Sequence, residues 1–410
     1  MKNKISKLNA LYLASAPALA IYLLPNKLPL IWMLILILFL MNLAVGKLNR
    51  CLTNRKNELQ WFWAIMIIGF IGSIFNSSVF FDFTLYWHNL VNICFFFMAL
   101  VIFTYNVDYS LLKKSLYVIG SAAALICLYQ RAMLLLTGSF NVDVFIPWLE
   151  VQRDIETFSV NRVSAFFTEP AHLSIFLLPI FYMSLYDRKF ILSALLASGV
   201  LFSGSTTGFL LLLALLVIFF IKSHIKKKYL FFFLVLCIAL FVAVMTYFPS
   251  VFLDNMDKLN TTNTGSIRHL GPLSYLKYFN GLQWLFGIGL NQLSNFLSMN
   301  GVFLINEWGN KINANFANAL IYSILSYGII GFIFFLRYFI KLVKSNHSNL
   351  GFIIYAIGIL ASDQVLFNMN LLYVLTFLLL SKYLIHQQGN SSDVCSPKAR
   401  VIKFNGSKLQ

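Results

Sequence analysis

The chain has 410 residues, of which 59% are hydrophobic and only 11% are charged. This composition excludes an ordinary soluble globular protein, because the surface of such a protein would lack polar cover. A net charge of +17 would suit a nucleic-acid partner, but the placement of the charges argues against one. We predict an all-α, polytopic integral membrane protein with a single transmembrane domain over residues 1–386.

Apolar segments run from end to end of the chain, and about 20 apolar residues cross a bilayer as a helix. We therefore predict about twelve transmembrane helices. Two neighbouring pairs, 190–203 with 207–221 and 351–367 with 371–385, are short and suit either hairpins of spans or re-entrant pairs. The other predicted spans are 8–24, 28–46, 60–80, 84–104, 115–137, 171–186, 229–248 and 314–336.

Basic residues collect on one side of the predicted topology. With the N-terminus inside, 23 of the 31 Lys and Arg residues fall in inside segments, seven fall outside, and Arg131 lies within a span. The positive-inside rule then assigns both termini to the cytoplasm. The basic excess is thus explained by topology, and we predict no nucleic-acid partner. The polar tail 387–410 is expected to be a disordered cytoplasmic segment.

Two connections on the predicted outer side are long, about 138–170 and about 249–313. Within the second, Gly271-Pro272 is expected to open one amphipathic helix that runs to about Leu285, since Pro is tolerated in a first turn. Its leucines would form one face and its polar residues, Gln283 among them, another. That pattern favours a helix in the membrane interface. The chain thus places most of its non-membrane residues on the outer side.

Each long outer loop contains an arginine for which topology gives no reason, Arg162 in the first and Arg268 in the second. The guanidinium group offers a fork of donors that matches phosphate oxygens. Two such groups together would bind a diphosphate at the outer leaflet. The alternative is that they snorkel to lipid headgroups or form ion pairs within the loops.

Three further side chains near these arginines could carry proton chemistry. Glu169 precedes Pro170 at a predicted helix start, where it suits either a base or the positive end of a helix that Thr168 caps. His172 lies one turn inside the span, in a structural or a direct role. His269, beside Arg268, could act as a general base or a phosphate partner.

Two more features stand out, one within a span and one at an outer hairpin between two short spans. Arg131 lies some six residues from the outer end of its span, and burial of an arginine in lipid costs at least about 2.5–3.5 kcal/mol. It must therefore face protein, water or headgroups, and Asp363, within an apolar stretch, is one possible partner. The segment Ser203 to Gly208, with Ser205 and Thr206, suits close approach to a headgroup or a simple turn.

Arg162-x6-Glu169-Pro170 after a long outer loop resembles the R-x-x-(G/A)-x-F-x-E-P-(S/A) motif of O-antigen polymerases, the Wzy family. Ser203 to Gly208 resembles that family's S-x-T-G segment. Arg268 followed by Gly287-Ile-Gly289 is similar to its second-loop arginine and G-x-G turn, and Tyr327 to Gly331 to its Y-G-x-x-G span. Ala165 stands where many members have Gly, and Ala171-His172 where Ser is common. The resemblance covers about residues 150–370.

The resemblance implies a multi-pass inner-membrane glycosyltransferase with a GT-C-like helical fold that uses no metal or nucleotide sugar and has no other cofactor. Its substrates would be undecaprenyl-diphosphate-linked oligosaccharide units, and membrane lipid and a chain-length-regulating co-polymerase would be its partners. Arg162 and Arg268 would neutralise the leaving diphosphate. Glu169 or His269 would deprotonate or orient the acceptor hydroxyl. His172, Arg131, Ser205 and Thr206 would be secondary site residues.

Two other functions stay open. An O-antigen ligase, which moves a finished glycan to lipid A-core, shares the topology and the loop arginines. A lipid-oligosaccharide flippase or another transporter would favour charge at mid-membrane and related halves. Here the charge collects at the outer side and the sequence has no internal repeat, so we favour the polymerase.

Overall fold

The computed structural model describes residues 2–24, 29–46, 48–76, 82–139, 149–151, 163–222, 271–305, 311–313, 317–345 and 349–386. These residues form an α-helical protein with two small sheets. The helices are α1 (Lys2–Leu19), α2 (Leu30–Ala44), α3 (Leu48–Asn54), α4 (Lys56–Asn76), α5 (Phe83–Met98), α6 (Tyr109–Thr137), α7 (Pro170–Tyr186), α8 (Phe190–Phe202), α9 (Thr206–Lys222), α10 (Gly281–Phe286), α11 (Leu293–Met299), α12 (Ala319–Ser345), α13 (Leu350–Ser362) and α14 (Met369–His386).

A few shorter elements complete the described fold. A π-helical turn, Ala99–Phe103, continues α5, and a 3-10 helix, Gly271–Tyr278, precedes α10. Two antiparallel pairs of strands form the sheets. They are β1 (Tyr22–Leu23) with β2 (Glu150–Val151), and β3 (Phe303–Ile305) with β4 (Lys311–Asn313).

Four of the helical segments are long and apolar enough to cross a membrane: Lys56–Asn76, Phe83–Phe103, Tyr109–Thr137 and Ala319–Ser345. Six shorter apolar helices accompany them, namely α2, α7, α8, α9, α13 and α14. The all-α membrane class is therefore confirmed. The total of twelve spans and the GT-C-like fold stay predictions, and the predicted span 229–248 lies outside the described residues.

Local sequence explains where the longest helices begin and end. Asp82 caps α5 by accepting hydrogen bonds from the backbone N–H groups of Thr84 and Leu85, at 2.7 and 3.2 Å. Asp108 caps α6 in the same way through the N–H of Leu111, at 3.0 Å. Gly138 ends α6 in the left-handed conformation, with φ of 71°. Caps of this kind satisfy backbone groups that the helix itself cannot pair.

Large apolar side chains occupy both the core and the outer surface of the bundle. Leu136 and Ile191 are 82% and 91% exposed, whereas Phe96, Phe176 and Tyr355 are fully buried. Such an exposed apolar surface is costly in water and suits contact with lipid. The structure thus agrees with a membrane-embedded protein.

One end of the bundle, called here the basic end, is held by polar contacts. The Nζ of Lys113, near the start of α6, lies 2.7 Å from Oδ1 of Asp187 at the end of α7. Tyr117 donates to Oδ2 of the same carboxylate at 2.7 Å. Asn9 and Asn42 exchange side-chain hydrogen bonds nearby, at 3.2 and 3.1 Å. Hydrogen bonds between helices act as specific contacts where lipid offers no competing hydrogen bonds.

The prediction of one amphipathic helix in the second long loop is wrong. The chain forms the 3-10 helix, breaks at Phe279–Asn280 and starts again as α10. The reason is a capping box, in which Asn280 and Gln283 each accept from the other's backbone N–H, at 2.9 and 3.0 Å. Gln283, predicted on the polar face, is buried and donates to Oδ1 of Asn76 at 2.7 Å.

The glycine turn after α10 enters a break in α12. Ile288 and Gly289 donate their N–H groups to the carbonyls of Leu325 and Ser326, at 3.0 and 3.2 Å. Gly328, at φ 65° and ψ −172°, interrupts the helix at that point. A Cβ on Gly287 would overlap the backbone of Ser326. The predicted turn at 287–289 is therefore confirmed, and it joins the second loop to the helix bundle.

Candidate functional site

The segment after Arg162 is a buried turn. Val163, Ala165, Phe166 and Phe167 are each at most 1% exposed. Gln130 of α6 holds the turn with two hydrogen bonds, from its Nε2 to the Ala165 carbonyl at 3.0 Å and from the Ala165 N–H to its Oε1 at 2.8 Å. Ala165 has φ of 51°. Glycine adopts that region without strain, whereas residues with a side chain rarely occupy it.

The side chain of Thr168, which the sequence predicts as the cap of α7, makes a different contact. Thr168 does not cap the helix, because Glu169 occupies the N-cap position. The Thr168 hydroxyl lies instead 2.7 Å from Nδ1 of His172, one turn further on. Glu169 is half-buried, and its side chain makes no capping bond to the helix. Pro170 occupies the first turn, as predicted.

A carboxylate from a distant helix approaches the other side of His172. Nε2 of His172 lies 3.8 Å from Oδ2 of Asp363, and the two side chains are 25% and 10% exposed. Asp363 was predicted inside a span, but α13 ends at Ser362 and Asp363 has extended backbone. The predicted span 351–367 is therefore too long. Oδ1 of Asp363 accepts from the N–H of Gln364 at 2.8 Å.

Arg131 faces protein. It is 5% exposed, and its Nε and Nη2 donate to the carbonyl of Phe202, at 3.1 and 2.7 Å. That carbonyl belongs to the last residue of α8, where a cation offsets the negative end of the helix. The ion pairs within 4 Å among the described side chains do not include one between Arg131 and Asp363. These contacts give the buried Arg131 side chain a structural role that requires no bound substrate.

The turn Ser203–Gly208 packs directly against α7. Ser205 caps α9 by accepting from the Gly208 N–H at 3.1 Å, and Ser203 Oγ lies 3.4 Å from Ser174 Oγ. A Cβ on Gly208 would overlap the Ser174 side chain. Ser205 is therefore a structural cap, whereas Thr206 and the following Thr207 are half-buried.

These elements border a small cleft of about 20 Å³ between the start of α7, the start of α9 and the end of α13. Ser174, Thr207, Ser362 and Asp363 supply its polar lining. The volume is far below the roughly 300–1,000 Å³ of pockets for drug-sized ligands, and it has room for about one water-sized group such as a hydroxyl. Nothing in the local sequence singles out Thr207 or Ser362, and Asp363 stands out only as a lone carboxylate in an apolar stretch.

A chain of aromatic contacts joins this cleft to the glycine turn. Phe367, which follows Asp363 in the connection to α14, lies 5.9 Å from the ring of Tyr327 at the break in α12. Phe367 also lies 5.5 Å from Trp61 of α4. The connection that follows Asp363 therefore packs against the break in α12 and against α4.

Three predicted site residues, Arg162, Arg268 and His269, lie outside the described residues. The structure brings Glu169, His172 and Asp363 together at one end of α7 and places Arg131, Ser205 and Thr206 around the neighbouring turn. In the described part of the chain, no group of three His, Cys, Asp or Glu side chains is arranged to hold a metal ion. The expectation of a metal-free reaction stays a prediction.

Fold and site together define a membrane-embedded, mainly α-helical protein with a polar cleft at one end of its bundle. The chain matches no protein-family model, and no curated protein shows significant similarity to it.

Proposed function

We propose that this protein is a glycosyltransferase of the O-antigen polymerase type. It joins undecaprenyl-diphosphate-linked oligosaccharide units into a polysaccharide at the periplasmic face of the inner membrane. The observation that carries the proposal is the packing of the turn 163–167 and of Ser203–Gly208 around the start of α7, beside Asp363. Both segments belong to the motifs on which the resemblance rests.

The proposed reaction breaks the bond between the anomeric carbon of the growing chain and its diphosphate. A hydroxyl oxygen of the incoming lipid-linked unit forms the new bond to that carbon. The hydroxyl proton passes to a base of the protein, and undecaprenyl diphosphate leaves with the bonding electrons. Arg162 and Arg268 neutralise the charge that develops on the diphosphate.

Two acid–base groups of the described site support this chemistry. Glu169 is half-buried at the start of α7, and we assign it the role of the base that takes the proton of the acceptor hydroxyl. His172 stands one turn further along α7, between the Thr168 hydroxyl and the Asp363 carboxylate. A carboxylate beside an imidazole orients the ring for proton transfer. His269 remains a second candidate for the base on sequence grounds.

The deciding experiment is a deletion strain complemented with variants and examined by lipopolysaccharide gel. Loss of a polymerase leaves lipid A-core with a single repeat unit. Loss of a ligase leaves polymer on the carrier lipid and none on lipid A-core, and loss of a flippase leaves neither polymer nor capped core. Either of the last two patterns would overturn the proposal.

Arg162→Ala and Arg268→Ala should each abolish long chains, since each removes a diphosphate donor. Arg153→Ala, in the same predicted loop as Arg162, is the matched control and should keep the ladder. Immunoblots of the membrane fraction verify that each variant inserts. Wild-type ladders from either test variant would remove that arginine from the site.

A further inference from the structure

A second cleft, whose lining shares no residue with the first, opens at the basic end of the bundle. It has a volume of about 630 Å³ and lies between α4 and α12. Its lining residues follow one face of each helix, because they recur at spacings of three and four. The cleft is therefore a groove between two antiparallel membrane helices, and it opens at the surface of the bundle.

The mouth of this groove is cationic. Lys56 of α4 and Arg337 and Lys341 of α12 line it, and all three are exposed. No Asp or Glu is among the described residues that line it. The nearest carboxylate along α4, Glu58, is buried and pairs with Arg55 at 3.7 Å. The three cations therefore present a positive charge that no lining side chain neutralises.

Deeper in the groove the lining becomes aromatic. Trp63 and Phe334 are 60% and 39% exposed, and each lies seven residues from a lining cation, or about 10 Å along a helix. The floor is rigid, since Trp61 stacks on Tyr338 with ring centroids 4.5 Å apart. Lys341 donates to Oδ1 of Asn57 at 3.1 Å, which ties the two helices together at the mouth.

We propose that this groove binds an anionic phospholipid, with its phosphate at Lys56, Arg337 and Lys341 and an acyl chain along Trp63 and Phe334. Basic pockets between membrane helices bind acidic headgroups, and exposed aromatic side chains suit the adjoining interface. The site is distinct from the proposed active site and does not depend on the proposed function.

The test uses the full-length protein in detergent, titrated with phosphatidylglycerol or with phosphatidylcholine of the same acyl chains and followed by native mass spectrometry. The wild type should retain phosphatidylglycerol in preference. Each cation near an anionic headgroup contributes about fivefold in affinity, so Lys56→Gln/Arg337→Gln/Lys341→Gln should weaken binding on the order of 100-fold. The control Lys4→Gln/Lys7→Gln/Lys114→Gln removes three exposed cations from the same end of the bundle and should leave binding unchanged.

Three results would overturn the proposal: equal losses from both triple variants, equal retention of the two lipids by the wild type, or displacement of the lipid by excess inorganic phosphate. The last would indicate a site for free anions. Size-exclusion chromatography checks that each variant is folded. If the variant Lys56→Gln/Arg337→Gln/Lys341→Gln is not folded, Arg337→Gln alone should weaken phosphatidylglycerol binding about fivefold. Lys114→Gln should leave that binding unchanged.

Discussion

Nε2 of His172, in the first turn of α7, lies 3.8 Å from Oδ2 of Asp363 at the end of α13, while Nδ1 lies 2.7 Å from the Thr168 hydroxyl. The imidazole thus stands between a hydroxyl and a carboxylate at the edge of a polar cleft. This arrangement suits a group that holds or moves a proton.

The first prediction concerns that pair. Asp363→Asn should lower polymer formation by about 100-fold or more, as expected for loss of acid–base assistance. Asn retains the Oδ1 atom that accepts the hydrogen bond from the Gln364 N–H, so the end of α13 is preserved. His172→Gln should lower polymer formation by about the same factor, and the double variant should lower it only slightly further. The reason is that the effects of residues that act as a unit are not additive.

Rates in membranes, measured across pH, check this prediction. The control is Ser198→Ala, since the Ser198 hydroxyl lies outside the cleft and donates to the Leu195 carbonyl within its own helix, at 2.7 Å. Wild-type rates from Asp363→Asn, or losses that multiply in the double variant, would show that the pair does not act as a unit.

The second prediction concerns the buried turn beneath the site. Gln130→Leu removes the partners of both the Ala165 N–H and the Ala165 carbonyl, so it should destabilise the protein by about 2–6 kcal/mol, since each orphaned buried group costs about 1–3 kcal/mol. Thermal unfolding in detergent measures the effect. Tyr129→Leu, at a 58% exposed neighbour, should leave the midpoint nearly unchanged. Equal midpoints for the two variants would contradict the role given to Gln130.

The third prediction is a graded series of glycine substitutions. Gly281→Ala should be nearly neutral, because a Cβ there meets open space. A Cβ on Gly301 also meets open space, but the residue has φ of +69°. Gly301→Ala should therefore lower the free energy of unfolding by about 1–2 kcal/mol. Gly287→Ala combines φ +77° with overlap on Ser326, so it should cost most. Unfolding midpoints that fail to follow this order would refute the close approach of the turn to α12.

The fourth prediction concerns the basic end. Lys113→Met leaves the Asp187 carboxylate with Tyr117 as its hydrogen-bond donor, and loss of a half-buried, charge-assisted contact costs about 1.5–3 kcal/mol. The double variant Lys113→Met/Asp187→Leu should be more stable than Lys113→Met alone, since it leaves no uncompensated charge. Thermal unfolding ranks the variants. A double variant less stable than the single one would argue against this pair as a stabilising contact.

Several sequence predictions depended on properties that a short segment carries by itself. The described helices α2, α4 and α7 begin and end within a few residues of predicted apolar segments. Errors arose where a local preference competed with another contact. The Thr168 hydroxyl bonds His172 rather than capping α7, and Gln283 is buried against Asn76 rather than exposed.

The sequence by itself determined the membrane class, the helical segments and the clustering of basic residues, because hydropathy and charge are local and a membrane helix satisfies its own backbone. Only the tertiary structure decided that Asp363 meets His172, that Gln130 holds Ala165 and that the turn at Gly287 enters the break in α12. Each of these contacts joins segments far apart in the chain. No local pattern specifies such a contact, because it follows from how the helices pack.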